Sequence, residues 1–65
     1  MTVQEFLNTT TFEADDLIVI VTPTGLPFVL EGDNPTCNHE LANAQIAHHH
    51  TRKECERTYY RVHIA

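Results

Sequence analysis

The five residues Leu17-Ile18-Val19-Ile20-Val21 are apolar at every position, and no other feature constrains the fold of this chain as strongly. A short continuous run of β-branched and aliphatic residues is typical of a strand that is buried or centrally flanked in a sheet. The run is far shorter than the roughly 20 apolar residues that a transmembrane helix needs. It therefore predicts a central strand and excludes a transmembrane helix.

A second strand is expected directly after the first. Thr22-Pro23-Thr24-Gly25 has turn chemistry, because proline fixes one dihedral angle and glycine permits a positive φ. Pro27 to Glu31 then resumes an extended pattern, and Gly32-Asp33-Asn34-Pro35 ends it. These residues predict a β-hairpin.

The N-terminal residues predict a helix of about two turns, from Val3 to about Asn8. Thr2 and Glu5 have the spacing of a capping box, in which each side chain satisfies a free amide of the first turn. Val3, Phe6 and Leu7 recur at helical spacing, so we expect them to pack on one face of the sheet.

The region from Thr36 to His50 is open to two interpretations. Thr36 or Asn38 is a suitable cap for a second helix, which either ends near Asn43 or continues through the alanine-rich stretch to His50. We prefer the shorter helix, followed by a strand from Ala44 to His50 that pairs with Thr58 to Ile64.

That pairing predicts a register for the last hairpin. Placing Ile46 opposite Val62 sets His48 opposite Tyr60 and His50 opposite Thr58, all on one face, with the loop tip at Glu54. The predicted fold is thus α+β: an N-terminal helix packed on a small four-stranded, mainly antiparallel sheet, in the order α-β-β-(short α)-β-β. We expect residues 1–65 to form a single small domain.

Charge divides the chain into two parts. The first 51 residues hold seven acidic residues and no lysine or arginine, and the net charge is −5. That balance disfavours general nucleic-acid binding, which depends on cations that neutralise phosphates. We therefore expect an acidic surface that binds a protein partner, formed by Asp15, Asp16, Glu31 and Asp33.

The basic residues support a different interpretation. They all lie in the last hairpin, where they accompany Tyr59 and Tyr60 and would contact nucleic acid by charge and stacking: Arg52, Lys53, Arg57 and Arg61. Glu54 and Glu56 interleave with these cations, which favours a simple solvated loop instead.

A metal site is a further alternative, since zinc accepts thiolate and imidazole ligands. The chain offers two cysteines and five histidines, and the ligands of this alternative are Cys37, His39, His48 and His50. In a strand, His48 and His50 share a face that His49 does not. Cys37-Asn38-His39 lacks the usual spacing of a zinc knuckle.

Cys37 or Cys55 beside a histidine would be the nucleophile of a catalytic site, but no glycine elbow, strained turn or oxyanion donor set is recognisable, so we predict a non-enzymatic protein without a cofactor. The N-terminus lacks the features of a secretory signal, which predicts a cytoplasmic protein with Cys37 and Cys55 reduced. A homodimer is also expected, either by charge complementarity or by edge pairing of the last strand.

Three segments together resemble small uncharacterised proteins encoded by bacteriophages and prophages. They are the opening Thr2 to Leu7, the strand Leu17 to Val21 before its turn, and Phe28-Val29-Leu30-Glu31-Gly32. The resemblance implies a viral protein, acting in the host bacterial cytoplasm, that binds and modulates a host or phage protein. Inhibitors of host defence enzymes, such as anti-CRISPR proteins, belong to that class. The histidines at 48–50 are not part of the pattern.

Overall fold

A computed structural model describes all 65 residues and confirms the predicted α+β fold and the order of its elements. Two helices and four strands follow one another along the chain: α1 (Val3–Thr9), β1 (Leu17–Val21), β2 (Pro27–Glu31), α2 (His39–Ala42), β3 (Ile46–Glu54) and β4 (Arg57–Ile64). Neither helix has the length and apolar character that crossing a membrane would require.

The four strands form one sheet in the order β2-β1-β4-β3. β1 pairs antiparallel with β2 and parallel with β4, and β3 pairs antiparallel with β4. The apolar β1 is therefore a central strand, as its composition predicts. The final strand β4 also lies inside the sheet, so it lacks the free edge that dimer formation by edge pairing of the last strand would require. Only β2 and β3 present unpaired backbone at the edges.

Both helices begin as the sequence predicts. The Thr2 hydroxyl accepts a hydrogen bond from the Glu5 amide at 3.2 Å, and the Glu5 carboxylate accepts one from the Thr2 amide at 2.9 Å, which completes the capping box of α1. Asn38 caps α2 by accepting from the Leu41 amide at 2.9 Å. The second helix ends before Asn43, and a strand follows it, so the shorter-helix interpretation is confirmed.

The hydrophobic core lies between the helices and one face of the sheet. Its seven buried members come from both helices and the two central strands: Val3, Phe6, Leu7, Ile18, Ile20, Leu41 and Val62. Because side chains alternate along a strand, β1 sends Ile18 and Ile20 into this core and leaves Leu17, Val19 and Val21 half-buried on the opposite side. We call that opposite side, which no helix covers, the open face.

The register of the last hairpin differs from the prediction. Ile46 pairs with Ile64 rather than Val62, and Glu54 pairs with Arg57, so the loop tip consists of Cys55 and Glu56. A regular antiparallel ladder that pairs Ile46 with Ile64 would pair His48 with Val62. His48 pairs with His63 instead, so a bulge lies between Ile46 and His48. β3 also begins and ends later than the predicted strand, at Ile46 and Glu54 rather than at Ala44 and His50.

This register keeps His48 and His50 on one face, as predicted, but changes which residues of β4 share that face. The bulge allows Ile46 to lie on the helix side while His48 and His50 lie on the open face, whereas strict alternation would place all three on one side. His49 takes the helix side instead, with its ring centroid 5.3 Å from that of Phe6. The expectation that His48 faces Tyr60 was therefore wrong.

Candidate functional site

The open face combines an aliphatic half with a cationic half. On β1 and β2 it presents the side chains of Val19, Val21 and Val29, and Val29 is 60% exposed. On β4 and β3 it presents Tyr59, three histidines and the guanidinium groups of Arg52, Arg57 and Arg61. Exposed aliphatic side chains next to arginine and tyrosine are common at protein-binding surfaces.

A shallow depression of about 550 Å³ lies on this face. Its walls come from the three strands β1, β3 and β4: Val19, His50, Arg52, Glu54, Tyr59, Tyr60 and Arg61. Its open shape suits a side chain or a short segment of a partner, because it does not enclose a small molecule.

The four basic residues are arranged unequally around this depression. Arg52 forms the single ion pair of the structure, with Glu54. Arg57 and Arg61 lie on the open face without a carboxylate within ion-pair distance. Lys53 pairs with Thr58 and so projects from the other side of the hairpin. Three of the four cations predicted to act together therefore share one face.

Three histidines meet at one margin of the open face. The rings of His48 and His63 stack with centroids 4.3 Å apart, and His50 lies 5.4 Å from His48 and 5.9 Å from His63. The potential ligand nitrogens of all three lie within 4.8 Å of one another. No side-chain hydrogen bond engages these rings, so their nitrogens are available. We call His48, His50 and His63 the histidine cluster.

The pKa of His63 is lowered from its ordinary value of 6.5, mainly because partial burial removes water from the ring. Neighbouring His48, Arg61 and His50 lower the same pKa further by charge repulsion. His63 is therefore neutral near pH 7 and offers a lone pair on one ring nitrogen.

The other two predicted metal ligands do not join this cluster. Cys37 packs against the hydrophobic core, and burial raises the pKa of its thiol. His39 lies on α2, where its ring shares a hydrogen bond with the side chain of Asn43 at 3.0 Å. The structure thus brings together His48 and His50 from the predicted set and adds His63.

His63 was missing from the predicted ligands because of the register. The predicted pairing placed His48 on the face of Tyr60, to which His63 does not belong. A two-residue turn at Cys55 and Glu56 would have revealed the correct face, but neither residue is typical of such a turn.

The predicted acidic residues are divided between structure and surface. Asp16 is only 3% exposed, and its carboxylate accepts hydrogen bonds from the backbone amides of Glu13 and Thr58. Asp15, Glu31 and Asp33 are exposed near the start of β1 and the end of β2. Asp16 therefore contributes to the fold, and three acidic side chains are left at this end of the molecule.

In comparisons with known proteins, no protein-family model, curated protein or solved structure matches this chain.

Proposed function

We propose that this chain is a non-enzymatic protein-binding module that recognises its partner on the open face of the sheet. The observation that carries the proposal is that Val29 and unpaired Arg61 are exposed on the side that no helix covers. Val19 pairs with both of them in the sheet and is half-buried, as is Tyr59 on the same face. Tyrosine and arginine are the residues that most often anchor protein interfaces.

The two halves of the open face specify the chemistry of the partner. Val19, Val21 and Val29 favour apolar side chains, whose burial contributes about 25 cal/mol per Å² of apolar area. Arg57 and Arg61 favour carboxylates, which they can bind through two parallel hydrogen bonds each. The partner is therefore a protein surface that carries apolar and acidic side chains side by side.

This surface differs from the acidic surface that the sequence predicted. Asp16, one of the four residues of that acidic surface, is buried and hydrogen-bonded to the backbone, so it cannot contact a partner. Asp15 and Asp33 are retained as a competing surface that the experiment below separates from the open face. Glu31 pairs with Leu17 and so lies on the open face itself. The resemblance to phage-encoded proteins extends the proposal: the partner is a host or phage protein in the bacterial cytoplasm, and the module acts as an inhibitor or anti-defence protein by occupying a surface.

The proposal is tested by capture from nuclease-treated bacterial lysate with a tag that contains no histidine, followed by titration of the captured protein in purified form. The open-face variants are Val29→Glu and Arg61→Glu, both at exposed positions where the fold tolerates charge. The matched control is Asp15→Lys/Asp33→Lys, which reverses charge at the acidic end.

We expect both open-face variants to weaken binding by about tenfold or more, as loss of an interface anchor does, and the control to bind like the wild type. Loss in the control alone would assign the partner to the acidic surface instead. Equal binding by all variants, or no saturable partner, would overturn the open-face proposal.

Nucleic acid is a second candidate for the same face, favoured by the position of Tyr59 between Arg52 on β3 and Arg61 on β4. An aromatic ring among cations is a stacking platform for single-stranded bases. This candidate predicts that a fluorescent single-stranded oligonucleotide binds with an affinity that falls steeply with salt and falls again on Arg57→Ala. A net charge of −5 makes it the weaker of the two.

A further inference from the structure

The histidine cluster has a geometry that the binding of a protein partner does not require. His48 and His50 are two positions apart on β3, and His63 lies opposite His48 on β4. Two neighbouring strands thus aim three imidazoles at one point on the open face. Pairing in the sheet fixes their backbones relative to one another, which distinguishes them from three histidines in a flexible tail.

We infer that His48, His50 and His63 form a binding site for a first-row divalent metal ion of the Zn²⁺ class. Nitrogens that share a tetrahedral zinc at ~2.0–2.1 Å lie about 3.4 Å apart. The ligand atoms of the cluster lie within 4.8 Å of one another before any ion is present, so small rotations of the side chains close the site. His48 and His50 are exposed and free to rotate.

The chemistry of the donors defines the ion. Three neutral imidazoles bind zinc, copper and nickel in preference to magnesium or calcium, which require oxygen ligands. A three-histidine site leaves the fourth position of a tetrahedral ion open to water or to an additional ligand.

The surroundings of the cluster limit its affinity. Arg61 pairs with His50 on the same face, and its positive charge opposes that of a metal ion. No carboxylate is hydrogen-bonded to the three rings to orient them, although such partners commonly strengthen metal sites. We therefore expect the metal ion to bind with moderate strength, with a dissociation constant on the order of micromolar. Because Arg61→Ala removes the opposing charge, we expect that variant to bind the ion more tightly than the wild type does.

The chain contains its own controls for this inference. His49 lies between two ligands in sequence but packs beside Phe6 on the other side of the sheet. His39 and Cys37 belong to the ligand set predicted from sequence and lie outside the cluster. Binding that depends on geometry distinguishes these residues from the three ligands, whereas binding by a local run of histidines does not.

The test is a titration of the full chain, without a polyhistidine tag, with Zn²⁺ in competition with a chromophoric chelator. We expect one ion per chain, and a loss of affinity of about tenfold or more for each of His48→Gln, His50→Gln and His63→Gln, since even the loss of an outer partner of a metal ligand typically costs 10–100-fold. His49→Gln, His39→Gln and Cys37→Ser are expected to remain within about twofold of the wild type, because an intact ligand set leaves metal affinity unchanged.

A second measurement is independent of any folding defect in the variants. Zn²⁺ added to the wild type is expected to shift the ring resonances of the three cluster histidines in NMR spectra and to leave those of His39 and His49 in place. Two results would overturn the site: His49→Gln losing as much affinity as His50→Gln, which indicates a flexible run of histidines, or His63→Gln binding as tightly as the wild type. An absence of saturable binding would overturn it as well.

Discussion

The carboxylate of Asp16 accepts a hydrogen bond from the backbone amide of Thr58, at 3.3 Å and across 42 positions of sequence. Asp16 directly precedes β1, and Thr58 directly precedes Tyr59, which is the first residue of β4 to pair with β1. The Asp16 side chain therefore adds one hydrogen bond between the two strands, just before the pair of Leu17 and Tyr59 at which the parallel ladder begins. The same carboxylate accepts from the Glu13 amide at 2.9 Å, so it also holds the loop before the strand.

We predict that Asp16→Ala lowers the free energy of unfolding by about 2–3 kcal/mol, because hydrogen bonds to charged groups contribute roughly 1.5–3 kcal/mol and the two amides lose their acceptor. Asp15→Ala removes the neighbouring exposed carboxylate and is expected to stay within about 0.5 kcal/mol of the wild type. Urea denaturation of both variants checks this. Equal stabilities would show that the two bonds contribute nothing measurable.

Gly32 is required by a close backbone approach in the same region. A Cβ atom at this position would overlap the carbonyl oxygen of Glu13, which is backbone and cannot move aside as a flexible side chain could. Gly25 has a positive φ of 89°, but a Cβ there would meet nothing within 4 Å. A substitution at Gly32 therefore tests steric overlap, and a substitution at Gly25 tests backbone strain.

We predict that Gly32→Ala costs about 3 kcal/mol or more, at the upper end of overpacking, and that Gly25→Ala costs only about 1–2 kcal/mol from strain. Both substitutions restrict the unfolded chain to the same extent, so the difference in unfolding free energy reports the folded state alone. Thermal or urea unfolding measures it. A Gly32→Ala variant no less stable than Gly25→Ala would contradict the approach of Glu13.

Local sequence signals predicted the elements well. The capping box of Thr2 and Glu5, the apolar run of β1 and the breakers after β2 each depend on neighbouring residues, and each structure formed where expected. The order of strands in the sheet depends on contacts between distant residues, such as Ile18 with Tyr60. No local pattern contains that information, and the position of β4 inside the sheet was therefore not foreseen.

The candidate site was predicted only in part, for a similar reason. His48 and His50 were paired correctly by the period of a strand, but the partner across the sheet depends on the turn. A shift from the predicted register to the observed one exchanges the two faces of β3 relative to β4, and this exchange brings His63 to His48. The bulge after Ile46 places that side chain on the core side of β3, and no residue type in the sequence predicted a bulge there.

The carboxylate of Glu5 makes stability depend on pH. Hydrogen bonds from the Thr2 amide, and next from the Thr2 hydroxyl, hold the pKa of Glu5 below its ordinary value of 4.5, although desolvation acts in the opposite direction. Because the folded-state pKa is lowered, the contribution of this group to stability is present above the unfolded pKa. It is lost as the pH falls below about 4.5 and through the folded-state pKa.

We predict that Glu5→Gln is less stable than the wild type near neutral pH and that the difference shrinks progressively as the pH is lowered through this window. Thr2→Val, which removes the hydroxyl but keeps the backbone amide, is expected to lose stability at every pH through the missing N-cap bond to the Glu5 amide, and to reduce the pH dependence less than Glu5→Gln does. Urea unfolding over a pH series measures both. Parallel pH profiles for the wild type and Glu5→Gln would show that the capping box does not shift this titration.

The turn that sets the register of the histidine cluster is built from unfavourable residues. Cys55 and Glu56 both have positive φ angles, 51° and 65°, which is the conformation of a type I′ turn. The left-handed conformation costs about 1–2 kcal/mol for each residue that has a Cβ atom. Asn-Gly is the pair of residues that adopts this turn most readily.

We predict that Cys55→Asn/Glu56→Gly raises the free energy of unfolding by about 1–2 kcal/mol, because the turn and its register are kept while the strain is relieved. Cys55→Ser/Glu56→Gln removes the same thiol and charge without favouring positive φ, and is expected to change stability by less than about 0.5 kcal/mol. Urea denaturation compares the two. A gain shared equally by both variants would assign it to lost charge or thiol, whereas a loss in the Asn-Gly variant would mean that the hairpin does not turn at these two residues and that His63 does not face His48.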